Sequence, residues 1–261
     1  MDRLEKALEK SRQQRAALEP SLAQSRYEPM GACEAPTTVS SAFDSETIDE
    51  AQMENNRIIA HHTRSAEADI YRQLRTKVLQ IMSASGFKTL AITSPHYGDG
   101  KTTVVLNLGI SIALDQKQTV LLVDLDLRKP NLHQYLGVKP HVGLTDHLLY
   151  DTPLNECLMR PPFERENILP AGSALDNSSE LLGSRKMIAL AQELKARYPD
   201  RLVIYDMPPV LDQDDSIAFL PQVDAVLVVV RDGVTKTDDL KRCLSTLAGA
   251  NVIGTVLNNC W

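Results

Sequence analysis

Hydrophobic residues are concentrated in five short stretches that are almost continuously apolar and rich in β-branched side chains, with helix-like stretches between them. Strands of this kind are buried on both faces, which is typical of a parallel sheet covered by helices on either side. The pattern predicts a doubly wound, mostly parallel α/β domain, a fold that binds ligands at the carboxyl ends of its strands. The predicted strands are residues 90–93, 120–124, 202–206, 225–230 and 252–257.

The same pattern divides the chain into three regions. Residues 1–18 are rich in Glu, Lys, Arg, Ala and Leu and place opposite charges at helix-neighbour spacing. This predicts a charged helix, either solvated or docked on another protein. Residues 19–64 are polar and acidic without sustained periodicity, so we expect a flexible linker. Residues 65–261 carry the alternating strands and helices and form the predicted folded domain.

Composition excludes several classes of protein. The chain has 261 residues and a formal net charge of −6, which does not suggest a nucleic-acid surface, so no nucleic-acid partner is expected. Its four cysteines form no Cys-x-x-Cys pair, which argues for reduced thiols rather than a zinc site or a disulfide framework. The charged start and the lack of an apolar run near ~18 residues predict a cytoplasmic protein that is recruited to the membrane by a partner.

A glycine-rich segment between the first predicted strand and a helix-like run at 104–114 indicates a phosphate-binding loop. Lys101 can reach the β and γ oxygens of a nucleotide, and the hydroxyl of Thr102 can bind Mg²⁺. The alternative is an ordinary glycine turn with a surface lysine. Pro95 stands where the full pattern has a small residue, usually Gly. The residues predicted to bind the nucleotide are Gly98, Asp99, Gly100, Lys101, Thr102 and Thr103.

Acidic residues follow two of the predicted strands. Asp124 and Asp126 come at the end of one, and Asp206 at the end of another. Carboxylates at such positions are costly to bury unless they hold a cation or accept hydrogen bonds. Together with the glycine-rich loop they predict a Mg²⁺-nucleotide site, in which Asp124 or Asp126 can accept a proton from a nucleophile. Helix-capping aspartates are the alternative reading.

These motifs resemble those of the bacterial tyrosine kinases (BY-kinases) of exopolysaccharide synthesis. Residues 93–103 are similar to their Walker A motif, residues 123–130 to Walker A′ and residues 206–209 to Walker B. The resemblance covers about residues 66–258 and also implies a relation to the MinD/ParA ATPases, although His96 stands where the signature lysine of those proteins would be.

The resemblance implies a P-loop kinase that uses ATP and Mg²⁺ and whose activating partner is a membrane-bound polysaccharide co-polymerase. Lys101 and Asp124 would be catalytic, with Asp124 orienting or deprotonating the acceptor hydroxyl. Asp126 would also be catalytic and, with Thr102 and Asp206, would hold the metal. Arg128 is expected to anchor Asp126 or the loop.

A charged motif before the first predicted strand resembles the oligomerisation motif of BY-kinases. Asp69, Arg72 and Arg75 recur every third residue, with Asp69 replacing a glutamate of the family motif. We expect a helix starting near Ala66 whose arginines pair with a neighbouring subunit rather than within the chain. A solvated charged face is the alternative.

The positions of the tyrosines do not decide which residue or protein would accept the phosphate. BY-kinases generally carry a tyrosine-rich tail, whereas none of the seven tyrosines lies in the final stretch of this sequence. Tyr205 and Tyr71 are expected to be packed, so the acceptor would be Tyr27 in the linker or another protein. A MinD/ParA-type regulatory ATPase without kinase output and a catalytically silent scaffold are the other readings. The lack of a guanine-reading Asn-Lys-x-Asp motif favours ATP.

Overall fold

The structure of the protein is a computed structural model that describes residues 48–62, 64–115, 117–198 and 200–259. The helix predicted at 1–18, most of the predicted linker, and Tyr27 lie outside the described residues and stay predictions. None of the helices in the described residues combines the length and the hydrophobicity that a membrane-spanning segment needs.

In the described residues, six parallel strands form one sheet in the order β3-β2-β4-β1-β5-β6, which confirms the predicted fold class. The strand that sequence reasoning missed is β3, at the edge, which has four residues and begins with a glutamate. It is too short and too polar at its start to stand out as an apolar run. The strands are β1 (Thr89–Thr93), β2 (Thr119–Asp124), β3 (Glu166–Leu169), β4 (Arg201–Asp206), β5 (Ala225–Arg231) and β6 (Val252–Asn258).

Helices cover both faces of the sheet and create two hydrophobic clusters, one on each face. Helix α3 is almost entirely buried and follows β1, which explains its nearly continuous apolar sequence. The helices are α1 (Glu50–Asn55), α2 (Ala66–Ser85), α3 (Lys101–Ala113), α4 (Leu132–Tyr135), α5 (Leu144–Tyr150), α6 (Leu154–Cys157), α7 (Ser178–Leu182), α8 (Arg185–Ala196), α9 (Asp215–Phe219) and α10 (Thr237–Thr246).

Strand β6 is not buried on both faces, so the expectation of two-sided burial is wrong for it. It occupies the other edge of the sheet, all of its residues are partly or fully exposed, and Leu257 is 56% exposed. An edge strand has only one neighbour, and its apolar sequence therefore does not guarantee complete burial.

The segment before α2 belongs to the folded domain, so the prediction of a flexible linker reaching residue 64 is wrong from residue 48 onward. Met53 and Ala60 are buried in the core. The Asn107 side chain accepts hydrogen bonds from the amides of Ile59 (2.8 Å) and Ala60 (2.9 Å) and donates one to the Arg57 carbonyl (2.9 Å). A few separated apolar contacts and the buried side-chain amide of Asn107 hold this segment. Contacts of this kind do not require a periodic pattern of apolar residues, so the sequence does not reveal them.

Helix α2 begins at Ala66, and its charged residues make contacts within the chain. Arg72 pairs with Asp69 at 2.6 Å, while Arg75 donates to the Ser111 carbonyl of α3 at 2.8 Å. The expectation that these arginines pair only outside the chain is therefore wrong. Spacing of three allows an ion pair within the helix, and Arg75 is long enough to reach the neighbouring helix. A subunit contact through this helix stays a prediction.

Glu166, the first residue of β3, is a buried carboxylate away from the predicted site. It is 2% exposed, and neither of its carboxylate oxygens has a hydrogen-bond partner among the described residues. Burial raises the pKa of Glu166 to about 8. Between pH 4.5 and about 8, Glu166 is therefore protonated in the folded protein, whereas in the unfolded chain it has lost its proton.

Replacing Glu166 by Gln should stabilise the protein at high pH. Because the folded pKa is the higher one, the stability of the wild type falls as the pH rises from 4.5 through about 8. We expect Glu166→Gln to raise the free energy of unfolding at pH 9 by on the order of 5 kcal/mol and to have little effect near pH 4. Urea unfolding measures both, with exposed Glu164→Gln as the control; an equal effect at the two pH values would contradict the assignment.

Candidate functional site

The glycine-rich loop connects the carboxyl end of β1 to α3, which begins at Lys101. Gly98 and Gly100 have φ angles of 85° and 91°, in the left-handed region that favours glycine. A Cβ atom on Gly100 would also collide with the side-chain amide of Asn258. The two glycines are therefore needed for the shape of the loop, whose amides lie at the start of a buried helix, where anions bind.

Contacts from distant parts of the chain hold this loop. The buried Asp99 carboxylate accepts hydrogen bonds from the His96 amide at 3.0 Å and the Thr235 hydroxyl at 2.8 Å. Asn258 donates from its side chain to the Asp99 carbonyl at 3.0 Å. The Asp99 side chain therefore shapes the loop from within, and Thr235 and Asn258 are site residues that sequence reasoning missed.

Charged side chains from three strand ends meet in front of the loop. Lys101 Nζ donates to Asp126 Oδ2 at 3.0 Å, and the Thr102 hydroxyl donates to Asp206 Oδ2 at 2.8 Å. All four side chains are buried. Asp124 lies beside Asp206 because the two residues are in register on the neighbouring strands β2 and β4. The structure thus brings together the lysine, the threonine and the three aspartates that the sequence singled out; Thr103 follows in the first turn of α3.

The Asp124 carboxylate is fully buried and accepts backbone hydrogen bonds from the segment that follows it. Its Oδ1 accepts from the Asp126 amide at 3.1 Å, and its Oδ2 accepts from the amides of Asn131 (3.3 Å) and Leu132 (3.2 Å). Asp124 therefore also fixes the position of Asp126, two residues further along the chain.

Burial and the neighbouring charges shift the pKa values of Asp124, Asp206 and Lys101. Burial, followed by the neighbouring carboxylates of Asp206 and Asp126, raises the pKa of Asp124 well above its usual range. Burial likewise raises the pKa of Asp206 to about 6, against the opposing effects of Lys101 and Thr102. For Lys101, burial lowers the pKa, but Asp206 and Asp126 together outweigh it and the net shift is upward. The lysine therefore stays charged.

The donor set fits a Mg²⁺ ion. Three buried carboxylates surround one ammonium group, which leaves an excess of negative charge, and Asp206 Oδ1 is buried without a hydrogen-bond partner among the described residues. Mg²⁺ prefers oxygen ligands and is commonly held by one or two carboxylates together with substrate phosphates. Thr102, Asp126 and Asp206 supply oxygens of this kind.

Tyr97 covers the charged cluster and was not identified from the sequence. Its hydroxyl is 3.4 Å from Asp126 Oδ1, and its ring centroid lies 4.2 Å from Lys129 Nζ and 5.3 Å from Lys101 Nζ. Burial, followed by the Asp126 charge, raises the pKa of Tyr97. Both ammonium groups thus lie over the Tyr97 ring, whose face stabilises positive charge.

Arg128 does not anchor Asp126 or the loop, so that expectation is wrong. Its Nε donates to the Ser178 hydroxyl at 2.9 Å and lies 3.4 Å from Asp215, while Nη2 is 3.2 Å from Asp214. Ser178 in turn donates to Asp215 at 2.8 Å. Arg128 is two residues beyond Asp126 and points toward the starts of α7 and α9, which it joins.

Comparison with known proteins agrees with this geometry. Residues 87–251 match the AAA domain family. The tyrosine-protein kinase YwqD of Bacillus subtilis is 30% identical over 210 residues, which cover 80% of this chain and 87% of YwqD. The putative tyrosine-protein kinase EpsB of Ralstonia nicotianae is 35% identical over 181 residues, which cover 69% of this chain and 24% of EpsB. The chain therefore spans most of the first relative and about a quarter of the second.

Solved structures give the same result. The chimerical protein CapA2B2 has a TM-score of 0.73 and 28% identity, covering 79% of this chain and 90% of its own. The kinase domain of the Escherichia coli tyrosine kinase ETK has a TM-score of 0.71 and 28% identity, covering 77% and 78%. The septum site-determining protein MinD of Pyrococcus horikoshii, complexed with Mg-ADP, has a TM-score of 0.54 and 28% identity, covering 65% and 69%. With its parallel sheet and phosphate loop, this chain belongs to the BY-kinase family of P-loop proteins, which is related to the MinD-like ATPases.

Proposed function

We propose that this protein is an ATP-dependent protein-tyrosine kinase that regulates the biosynthesis, chain length or export of an exopolysaccharide. The observation that carries the proposal is the buried group of Lys101, Thr102, Asp126 and Asp206 at the start of α3. Such a group offers one fixed cation and several oxygen ligands for a metal ion beside a phosphate loop. Phosphoryl transfer needs these groups to position the phosphates and to stabilise their negative charge. The kinases YwqD, EpsB and ETK support the choice of reaction.

In the proposed reaction, the loop amides from Gly98 to Thr103 bind the phosphates of ATP. Lys101 stabilises the negative charge on the γ-phosphoryl group, because its pKa is raised and it carries a full positive charge in a buried position. Mg²⁺, when bound, would neutralise charge on the phosphate oxygens. Thr102, Asp126 and Asp206 would hold it, with Asp206 ionised.

Asp124 is proposed to orient the acceptor hydroxyl or to take its proton. Its raised pKa makes it a better proton acceptor than an ordinary aspartate, and three backbone amides keep its carboxylate in one orientation. The proton would pass from the tyrosine oxygen to the carboxylate as that oxygen attacks phosphorus.

The chain's own tyrosines differ in how well they could act as acceptors. Tyr205 is fully buried against Phe219, with ring centroids 4.9 Å apart. Tyr71 is packed against the core, and burial raises its pKa to about 12. Neither side chain is free to enter an active site. We therefore propose Tyr27 or a separate protein as the acceptor.

The proposed activator is a membrane-bound polysaccharide co-polymerase, which would bring this protein to the inner face of the plasma membrane. The succinoglycan biosynthesis transport protein ExoP of Rhizobium meliloti is 30% identical over 208 residues, which are 26% of its length. In that relative, a segment like this chain is joined to a much larger protein. We propose that, for this protein, a separate membrane protein takes the place of the additional part of that longer chain.

A MinD-type regulatory ATPase without kinase output is the second candidate. It is favoured by the likeness to MinD complexed with Mg-ADP and by the packing of Tyr205 and Tyr71, which keeps both side chains away from the site. Both candidates require ATP binding at the same loop, and they differ in whether phosphate is transferred to tyrosine or to water.

Replacing Lys101 by Met should lower ATP turnover by at least about tenfold, because it removes a preorganised charge from the transition state. The measurement is phosphate and phosphotyrosine production by the purified protein with ATP, Mg²⁺ and the proposed co-polymerase partner. Lys77→Met, an exposed lysine of α2, is the matched control. Wild-type turnover in a folded Lys101→Met protein would contradict the proposed site.

Replacing Tyr27 by Phe should remove phosphate from this chain if the protein phosphorylates itself. Peptide mapping by mass spectrometry after incubation with ATP locates the phosphate, with Tyr150→Phe as the control because Tyr150 is 74% exposed in α5. Phosphate chiefly on a tyrosine of the folded domain would refute the linker as acceptor. ATP turnover without phosphotyrosine on this chain or its partner would select the regulatory ATPase.

Changing Arg72 to Glu should lower the oligomeric mass under activating conditions, because it reverses charge on the face proposed to contact another subunit. Arg75 is left unchanged, since it bonds to the Ser111 carbonyl and its loss would disturb the packing of α2 on α3. Light scattering compares the variant with Lys77→Glu on the same helix. An unchanged mass, or a wild type that is always monomeric, would leave Arg72 as a solvated side chain.

A further inference from the structure

His96, in the phosphate loop, is in contact with two other segments of the chain. Its Nδ1 lies 2.8 Å from Asp212 Oδ1, in the turn after β4, and its Nε2 lies 3.6 Å from Asp239 Oδ2, in the first turn of α10. The other oxygen of Asp212 accepts a hydrogen bond from the Tyr97 amide at 3.0 Å. The loop is therefore connected through one imidazole to the segments that follow two different strands.

Three carboxylates face this imidazole: Asp212, Asp239 and, from its own loop, Asp99. Asp239 also has Arg242 at 3.3 Å, one turn further along α10. The hydrogen bond to Asp212 raises the pKa of His96; burial opposes this effect, and the charges of the three aspartates reinforce it. The protonated imidazole is therefore favoured at this position.

We propose that the imidazolium form of His96 is a positioning device for the phosphate loop, and that nucleotide binding weakens when His96 loses its proton. Asp212, at 2.8 Å, is a hydrogen-bond partner that a neutral imidazole can keep, whereas the 3.6 Å contact with Asp239 is an ion pair that needs the positive charge of the imidazolium. Deprotonation therefore breaks one of the two connections and leaves the loop tied to a single segment. The inference rests on the nucleotide-binding part of the proposed function and is independent of the phosphoryl acceptor.

The geometry explains why His96 matters without touching the phosphates. The Asp99 carboxylate that accepts from the His96 amide also accepts from Thr235, between β5 and α10. The imidazole and the Asp99 carboxylate thus attach the loop twice to the same region. A loop held in its binding shape has less conformational freedom to lose when the nucleotide binds.

The experiment measures the dissociation constant of mant-ADP, a fluorescent ADP analogue, with Mg²⁺ from pH 6 to pH 9 at constant ionic strength. We expect the wild type to bind about fivefold more weakly after His96 is deprotonated. His96→Gln should bind weakly already at pH 6, and His96→Lys, which keeps its charge, should bind tightly up to pH 9. His141→Gln, an exposed histidine elsewhere, is the control and should follow the wild type.

Asp206, whose pKa is raised to about 6, loses its proton in the same pH range, and this strengthens binding in every variant as the pH rises. Comparing the variants therefore separates the effect of His96 on the dissociation constant from that of Asp206. Asp239→Asn should reproduce the effect of His96→Gln, and the double variant should add little to either, because both remove the same contact. Thermal melting of each variant checks that the fold is retained.

Several outcomes would overturn the inference. His96→Gln with the affinity and pH profile of the wild type would show that the connection does not position the loop. Equal loss in His96→Lys and His96→Gln would mean that the charge is not what matters. A wild type that binds no mant-ADP at any pH would remove both this inference and the proposed function, whereas pH-dependent binding without phosphotyrosine would support the inference and refute only the kinase.

Discussion

Three carboxylates buried around one lysine form the constraint on which the rest of the site depends. Asp124 and Asp206 are register partners on adjacent parallel strands, whose spacing is about 4.8 Å, so their like charges cannot be separated without breaking the sheet. Burial is the main cause of the raised pKa of both groups; the charges of Asp206 and Asp126 raise that of Asp124 further, and the charge of Asp126 raises that of Asp206. Lys101 compensates for one of the charges. The remaining negative charge makes this edge of the sheet a place where a divalent cation is electrostatically favoured.

The phosphate loop depends on residues far away in the sequence. Its glycines permit the left-handed turns, but the position of the loop is fixed by Asn258 at the end of β6, by Thr235 after β5 and by Asp212 after β4. Because parallel strands bring their carboxyl ends to the same edge, these side chains reach the loop from several directions. The fold thus supplies the rigidity that a six-residue glycine-rich segment lacks.

The sequence was most informative where one local pattern had one physical meaning. Apolar runs located five strands, and the loop motif with Asp124, Asp126 and Asp206 identified residues that the structure brings together. Prediction was wrong where the decisive contact is long-range. The edge strand β3 was missed because it is short and begins with Glu166. The segment that Asn107 holds by hydrogen bonds was predicted to be a linker. Arg128 donates a hydrogen bond to Ser178 instead of contacting Asp126. A side chain's partner depends on packing, which sequence spacing does not encode.

Lys101 and Asp126 connect the phosphate and metal functions of the proposed site. Their 3.0 Å ion pair is buried, so both partners would be strongly destabilised if either lost its counter-charge. A phosphate group that reaches Lys101 supplies a replacement negative charge, and a cation beside Asp126 supplies a replacement positive one. Each replacement alone weakens the pairing of one partner, so we expect the two replacements to be more favourable together than separately. In the proposed site, the ion pair would therefore make nucleotide binding and metal binding interdependent.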